Sequence, residues 1–377
     1  MHMSFAIFVI KNQPDMIKIA ATILATAIAT SANGADKIGM IVGTYTANGS
    51  KGIYTYSFDR QNGKATLLSS LEAINPSFVA LSPDGTTIYT VDESNKETDS
   101  AAAIAYSSKS GDMKPINSQQ TEGGAPCYIS TNGKIVVTAN YNGGSISVFP
   151  VKADGSLAPL SQQFRFELTG PAPDTIRQRS AHVHCTVFSP DGTSLFATDL
   201  GNDRIYRFAI ENDTLRQTGT YDLPAGSGPR HLTFSPDGKF AYLITELSGK
   251  VMAFKLDGNH LVHIQTATCD KAGGRGSADI HISPDGRFLY ASNRLKDDGI
   301  AIFSINQSTG MVTQTGYQPT GIHPRNFAIT PDGRYLLCAC RDSNVIKVYR
   351  ISSADGSLAD TGNDISLPSP VCIIFKQ

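Results

Sequence analysis

A four-residue turn recurs along this chain and dictates most of what it can become. Ser-Pro-Asp-Gly occurs at Ser82, Ser189, Ser235 and Ser283, returns as Thr330-Pro331-Asp332-Gly333, and has a degraded copy at Ser130-Thr131-Asn132-Gly133. The intervals between successive copies are 48, 59, 46, 48 and 47 residues. That period fits one small antiparallel sheet per repeat rather than a pair of solenoid helices. Proline presets φ for the first turn position and glycine accepts the positive φ needed further on. Residues 229–246 show the flanking strands: Leu232 and Phe234 before the turn, Phe240, Tyr242 and Ile244 after it, alternate with other side chains at a period of two.

Six turns do not exhaust the repeats. The stretch 38–59 holds two strand-like runs with no preceding Pro-Asp-Gly, and Pro370-Val371-Cys372-Ile373-Ile374-Phe375 reads as the first strand that stretch lacks. Pairing the two predicts an all-β fold, a seven-bladed β-propeller whose ring is closed by the C-terminal strand joining the N-terminal blade. Residues 36–377 supply 342 residues, about 49 per blade, as four-stranded blades require. Closure also leaves few bare sheet edges. The even spacing, with no Pro/Ser-rich linker, assigns residues 35–377 to one domain.

Residues 1–34 read as a leader. Lys18 precedes the apolar run from Ile19 to Ala29, and small residues follow to Ala35, the pattern of a secretory signal peptide cleaved near Gly34. The run is too short and threonine-rich for a spanning helix. A periplasmic or secreted mature chain with no membrane span is therefore expected. A net charge of −1 without any Lys/Arg run argues against nucleic-acid binding, which needs a basic face. There is no Trp, hence no Trp-Asp propeller signature. The six cysteines are scattered, and Cys338 and Cys340 fall on one face of a strand, where they cannot easily bond each other. They are expected as small buried side chains. With no Cys-x-x-Cys or His-x-x-x-His pair, no metal is expected.

Superimposing the repeats concentrates the chemistry. The start of a blade's inner strand and the end of its second strand lie at one end of the ring, because the two run antiparallel. Five residues before each turn come Ser77, His184, Arg230, Ala278 and Arg325; eleven after it come Glu93, Leu200, Glu246, Arg294 and Arg341. His182 shares the face of His184. The mouth is thus expected to hold His182, His184, Arg230, His231, Glu246, Asn293, Arg294 and Arg325, with Glu93 and Asn140 further round. Three arginines facing one funnel, with their planar donors, point to an anionic small molecule.

Gly43-Thr44-Tyr45, Asn75-Pro76-Ser77, Ala139-Asn140-Tyr141, His182-Val183-His184, Asp199-Leu200-Gly201, Gly226-Ser227-Gly228-Pro229-Arg230-His231, Glu246-Leu247-Ser248, Ser292-Asn293-Arg294 and His323-Pro324-Arg325-Asn326 together resemble the propeller-type 6-phosphogluconolactonase family. The resemblance runs through the mature chain. It implies a seven-bladed propeller related to the cofactor-free fungal muconate lactonizing enzyme. The histidine, two arginines and glutamate of that relative's site fall by motif on His182, Arg230, Glu246 and Arg294. Thr245 and Ala181 replace the Asn and Pro common in the family, flanking the site without removing a reactive group.

The expected activity is therefore hydrolysis of a sugar lactone by an activated water, which calls for no organic cofactor. Glu246 or His182 is the general base, Arg230 and Arg294 are the oxyanion donors, and His184, His231, Asn293, Arg325 and Asn140 are substrate ligands. Two alternatives use the same mouth: cycloisomerisation of a muconate-like diacid, and non-catalytic binding of a ligand. The expected partner is a small anionic or sugar lactone, handled by a monomer or weak dimer.

Overall fold

The structure, a computed structural model, describes residues 36–96 and 98–376; the leader expected over 1–34 lies outside them. Among the described residues, the strands form seven antiparallel sheets, six of four strands and one of five. Blade 1 combines Lys37–Thr44, Gly52–Asp59 and Lys64–Glu72 with Pro370–Phe375 as its inner strand. Met40 pairs with Phe375 and Gly43 with Cys372, which is the closure expected from the sequence. The inner strands of blades 2 to 7 are Val79–Leu81, Pro126–Thr131, Val183–Phe188, Pro229–Phe234, Ile280–Ile282 and Pro324–Ile329.

Burial explains the strand sequences. A second strand is covered on both faces, so Phe240–Thr245 is buried at every position. The outermost strand of the same blade, His260–Thr268, alternates exposed and partly buried residues. Apolar clusters join each blade to the next, and one containing Met40, Tyr56 and Phe58 with Tyr335, Leu337 and Ile346 joins blade 7 to blade 1. The ring is therefore closed by its core as well as by its hydrogen bonds. Tyrosine hydroxyls bind consecutive blades: Tyr89 donates to Gly155 O at 3.1 Å, Tyr242 to Gly310 O at 2.9 Å and Tyr290 to Gly356 O at 2.8 Å. Truncating one such ring to alanine costs about 3–5 kcal/mol.

The repeated turn has a chemical reason for each residue. In the copy at Ser235, the hydroxyl donates to Asp237 Oδ1 at 2.7 Å and accepts from Phe240 N at 2.9 Å, while Gly238 takes φ 70°. All six cysteines are free and buried. Among the described residues, no helix is long and apolar enough to cross a membrane.

Candidate active site

The backbone that enters several inner strands is strained in a repeated way. Asn75, Ala125, His323 and Ser369 have φ of 40°, 52°, 61° and 46°, and each precedes a proline; Gly228 does the same before Pro229 at φ 61°. A left-handed non-glycine residue costs of order 1–3 kcal/mol. Here it turns the chain sharply into the inner strand, and the residue two places on lies at or just before that strand's beginning. Those residues are Ser77, Cys127, Arg230, Arg325 and Val371. Cys127 and Arg325 line a basin of about 350 Å³, at the end of the ring opposite the Pro-Asp-Gly turns. Tyr45, Glu93, Tyr141, His184, Glu246 and Arg294 complete most of its wall.

Glu246 is the electrostatic centre. Its Oε2 accepts from Arg230 Nε at 3.0 Å and lies 3.3 Å from Arg294 Nη2; its Oε1 accepts from Arg177 Nη2 at 2.6 Å. Burial alone would raise its pKa, but Arg294, Arg230 and Arg177 outweigh burial and hold it down at about 2. Such a carboxylate is a permanent anion and a weak base. Five guanidiniums, on Arg177, Arg230, Arg294, Arg325 and Arg341, meet three carboxylates, on Glu93, Glu246 and Asp342. With the histidines neutral, that is a surplus of two positive charges.

Arg325 shows where the surplus is unspent. It approaches Glu93 Oε2 only at 3.7 Å and lies over the Tyr45 ring at 5.5 Å from its centroid. Among the described residues it makes no hydrogen bond closer than that ion pair, although its side chain is only 14% exposed. Ser77 Oγ, in the same register, is buried and also lacks a partner among the described residues.

The histidines differ in what surrounds them. His182 stacks on Tyr141 at 4.4 Å between centroids, and its Nδ1 lies 2.9 Å from Tyr141 O. A carbonyl only accepts, so the proton sits on Nδ1 and Nε2 presents its lone pair, accepting from Ser180 Oγ at 3.3 Å. Burial lowers the pKa of His182, with the Tyr141 carbonyl opposing. Asp199 Oδ1 fixes its backbone by accepting from His182 N at 2.8 Å. Gly201 lets the chain pass, since a Cβ there would sit 1.9 Å from Ser180 O. His184 lines the basin, its Nδ1 3.7 Å from Cys127 Sγ, and burial followed by the charge of Arg230 holds its pKa well below the usual value.

Three expected substrate ligands are engaged elsewhere. Asn140 is buried, accepting from Thr138 Oγ1 and donating to Ser145 and Ser147 Oγ. Asn293 donates to Cys269 O and accepts from Ser277 Oγ. His231 lies beneath the basin between Arg230 and Asp279. Arg230 itself is 1% exposed, lying under Glu246 rather than in the open funnel.

Sequence comparison of the repeats missed Tyr45, Tyr141, Arg177 and His323. Tyr141 does stand eleven residues after the degraded turn at Ser130, the column of Glu246 and Arg294. Arg177 lies in the one long interval of 59 residues, on the loop between blades 3 and 4. That loop is pinned where Asp174 Oδ1 accepts from Ile176 N and Arg177 N, where Asp174 pairs with Arg275, and where Gln178 Nε2 donates to Leu200 O at 2.9 Å. A larger hollow of about 660 Å³ at the turn end, lined by Pro83 among others, sets Lys134 and Lys152 against Asp84, Asp154 and Asp213 and holds no arginine. No group of three or more His, Cys, Asp or Glu side chains that could hold a metal occurs among the described residues.

Residues 39–375 match the family described as Lactonase, 7-bladed beta-propeller. The chain is 41% identical to a 6-phosphogluconolactonase of Formosa agariphila, over 85% of this chain and 94% of that one. Its fold matches the crystal structure of a candidate 6-phosphogluconolactonase of Bacteroides uniformis with a TM-score of 0.89 at 53% identity, covering 90% of this chain and 100% of the other. It matches a periplasmic gluconolactonase of Pseudomonas aeruginosa with a TM-score of 0.84 at 34% identity, covering 90% and 99%.

Proposed function

Because this chain belongs to the seven-bladed β-propeller lactonase family, we propose that its arginine-lined basin opens the ring ester of a sugar lactone, adding water to give the aldonic acid. It is a carboxylic-ester hydrolase. The observation that carries the reading is the pair of surplus positive charges around Glu246, with Arg325 unspent at the basin wall. A lactone develops negative charge on its carbonyl oxygen during attack, and preorganised donors at that point contribute most to rate.

In this mechanism His182 takes the proton from water through Nε2, the nitrogen left unprotonated by the Tyr141 carbonyl, with the water replacing the Ser180 hydroxyl there. Water adds to the carbonyl carbon, Arg294 stabilises the oxyanion, and Arg230 holds Glu246 in place from beneath. The ring C–O bond then breaks, and the proton held by His182 goes to the departing ring oxygen. Glu246 holds the arginines in place and is not the base, because three guanidiniums keep it ionised far below neutral pH. Arg325 takes the anionic group of the substrate.

His184 is the rival base, favoured by its place in the basin wall. Replacing each histidine with asparagine separates them: the base is the one whose loss lowers kcat by about 100-fold while the other variant stays near wild type.

The direct test compares hydrolysis of 6-phosphogluconolactone and gluconolactone by the purified mature chain, corrected for the spontaneous reaction. Preference for the phosphorylated lactone is expected, from Arg325. Preference for the neutral sugar would reassign Arg325 to the product carboxylate, and no turnover of either would overturn the reading. The proposal includes export of a monomer or weak dimer. N-terminal sequencing of periplasmic protein should begin near Ala35, and a cytosolic chain retaining residues 1–34 would reject export.

A further inference from the structure

We propose that Asp279 and His231 form a buried positioning pair for the reaction: they fix which imidazole nitrogen carries a proton, and so lock Arg230 against Glu246. The inference rests on the lactonase reading for its kinetic consequence, but its structural part stands alone.

Arg230 is a charge almost wholly removed from water, so its N–H groups need acceptors. Its Nε donates to Glu246 Oε2 at 3.0 Å and its Nη1 to Ala278 O at 2.6 Å. The same Nη1 lies 3.1 Å from His231 Nε2. A guanidinium has no acceptor, so Nε2 must present its lone pair and the imidazole proton must sit on Nδ1. Nδ1 lies 2.7 Å from Asp279 Oδ1, which can only accept while ionised.

The carboxylate is in turn over-determined. Its oxygens also accept from Ile280 N at 3.0 Å, Phe327 N at 3.1 Å, Asn326 Nδ2 at 2.6 Å and His281 Nε2 at 3.0 Å. Blades 6 and 7 thus converge on one anion, which dictates the tautomer of a histidine on blade 5, which accepts from the site arginine. Without the carboxylate, His231 could carry its proton on Nε2 and aim a donor at a donor. Holding its Nε and Nη1 fixes the Arg230 guanidinium beneath Glu246, the carboxylate that faces the basin.

His231 also edges onto Tyr128 at 5.2 Å and Phe78 at 6.0 Å between centroids. Those contacts would be kept by any flat ring, and they do not depend on a tautomer. The distinction between packing and positioning can therefore be measured.

The first measurement is a multiple-bond ¹H–¹⁵N correlation spectrum of the labelled mature chain at neutral pH, with His231 assigned by its disappearance in His231→Gln. A proton on Nδ1 alone is expected. A proton on Nε2, or on both nitrogens, overturns the proposal whether or not any lactone is hydrolysed.

The second compares two variants on whichever lactone the wild-type chain turns over. His231→Gln can accept from Arg230 and donate to Asp279, and should keep kcat within about threefold. His231→Phe keeps a ring and loses both bonds; its kcat should fall by about 10- to 100-fold with KM little changed. Equal kcat in both variants, whether high or low, overturns the positioning role. If the Phe variant does not fold, the tautomer and the activity of His231→Gln decide: a Gln variant that folds but loses more than tenfold overturns it. If the wild-type chain hydrolyses no lactone, the functional reading fails and the tautomer remains the test of the pair.

Discussion

Two arginines meet at Glu246 Oε2, and each has a histidine and then an aspartate behind it, yet the two arrangements behave differently. On blade 5, Arg230 meets His231 and then Asp279, whose side chains are 6% and 3% exposed, at 2.7 Å from each other. At the entry to blade 7, Arg294 Nη1 lies 3.2 Å from His323 Nε2, and His323 Nδ1 lies 3.4 Å from Asp342 Oδ2, a carboxylate with 42% of its side chain exposed. Arg341 Nη2 also points at His323 Nδ1, at 3.2 Å. Two guanidiniums therefore ask for both imidazole lone pairs, and a neutral ring has one. The buried arrangement has a single solution, whereas the rim arrangement is contested. The lesson is that similar residues in similar order become a fixed support only where every donor finds an acceptor.

The sharpest way to break both arrangements at once is to remove the anion they share. Glu246→Gln leaves Arg177, Arg230 and Arg294 without a carboxylate. Breaking a buried ion pair from one side costs about 3–5 kcal/mol, and misplaced oxyanion donors should lower kcat by about 10²- to 10³-fold. Urea denaturation and lactone turnover on the same preparation would measure both. A variant with full stability and activity would remove Glu246 from the centre of the site.

Asp279→Asn attacks the buried side alone. The amide keeps one acceptor oxygen but turns a donor toward His231 or toward the Phe327 and Asn326 donors, which previously met a carboxylate. A loss of about 3 kcal/mol in unfolding free energy is expected. Loss below about 1 kcal/mol would show that the network tolerates the wrong partner, and would weaken the contrast with the rim.

How far the sequence foretold this divides along the same line. Seven blades, ring closure by Pro370–Phe375 and the end of the ring that carries the charge all follow from the spacing of Ser-Pro-Asp-Gly, because turns and strand alternation are local chemistry. Arg230, Glu246 and Arg294 are legible as neighbours because they sit in register columns. Arg177 is not, since its loop belongs to no repeat, and Tyr45 is not, since blade 1 has no turn to count from. His231 is expected at the mouth beside Arg230. A one-residue step in a strand reverses the side a residue faces, and only the three-dimensional partners Arg230 and Asp279 show where its ring lies. Asn140 and Asn293 illustrate the same limit: spacing puts them at a strand end without saying whether water or a buried neighbour receives the amide.

Acid titration sharpens the comparison through its sign. Burial, then Arg230, lower the His231 pKa to about 4; burial, then Arg294 and Arg341, lower that of His323 to about 3. Above about pH 6.5 these rings are neutral folded or unfolded. As pH falls below that value the unfolded chain binds protons that the folded chain refuses, so stability declines, by about 1.4 kcal/mol per pH unit for each such histidine. His182 and His184 shift in the same direction. His281 is held up by Asp279 against its burial, and has the opposite sign. Glu246 adds its own loss only below about pH 4.5. Unfolding free energies between pH 5 and 6.5 should therefore fall toward acid, and His231→Gln should flatten the slope by close to one proton. An unchanged slope would mean that His231 is not held neutral by its surroundings.

The smallest effect belongs to the rim. Asp342 is also held by Arg341, whose Nε lies 2.6 Å from its Oδ1, and both side chains are partly exposed. Exposed ion pairs contribute about 0–1 kcal/mol, so Asp342→Asn should change stability by about 0.5 kcal/mol or less. It should also act on His323: with the carboxylate facing its Nδ1 gone, Arg341 and Arg294 compete for the ring without that anion. The shift in kcat should be no more than about threefold, because Arg294 is still held by Gly276 O through Nε at 2.7 Å and lies 3.3 Å from Glu246. A loss as large as that of Asp279→Asn would show that the rim histidine has a settled tautomer after all, and that Arg294 depends on it as Arg230 depends on His231.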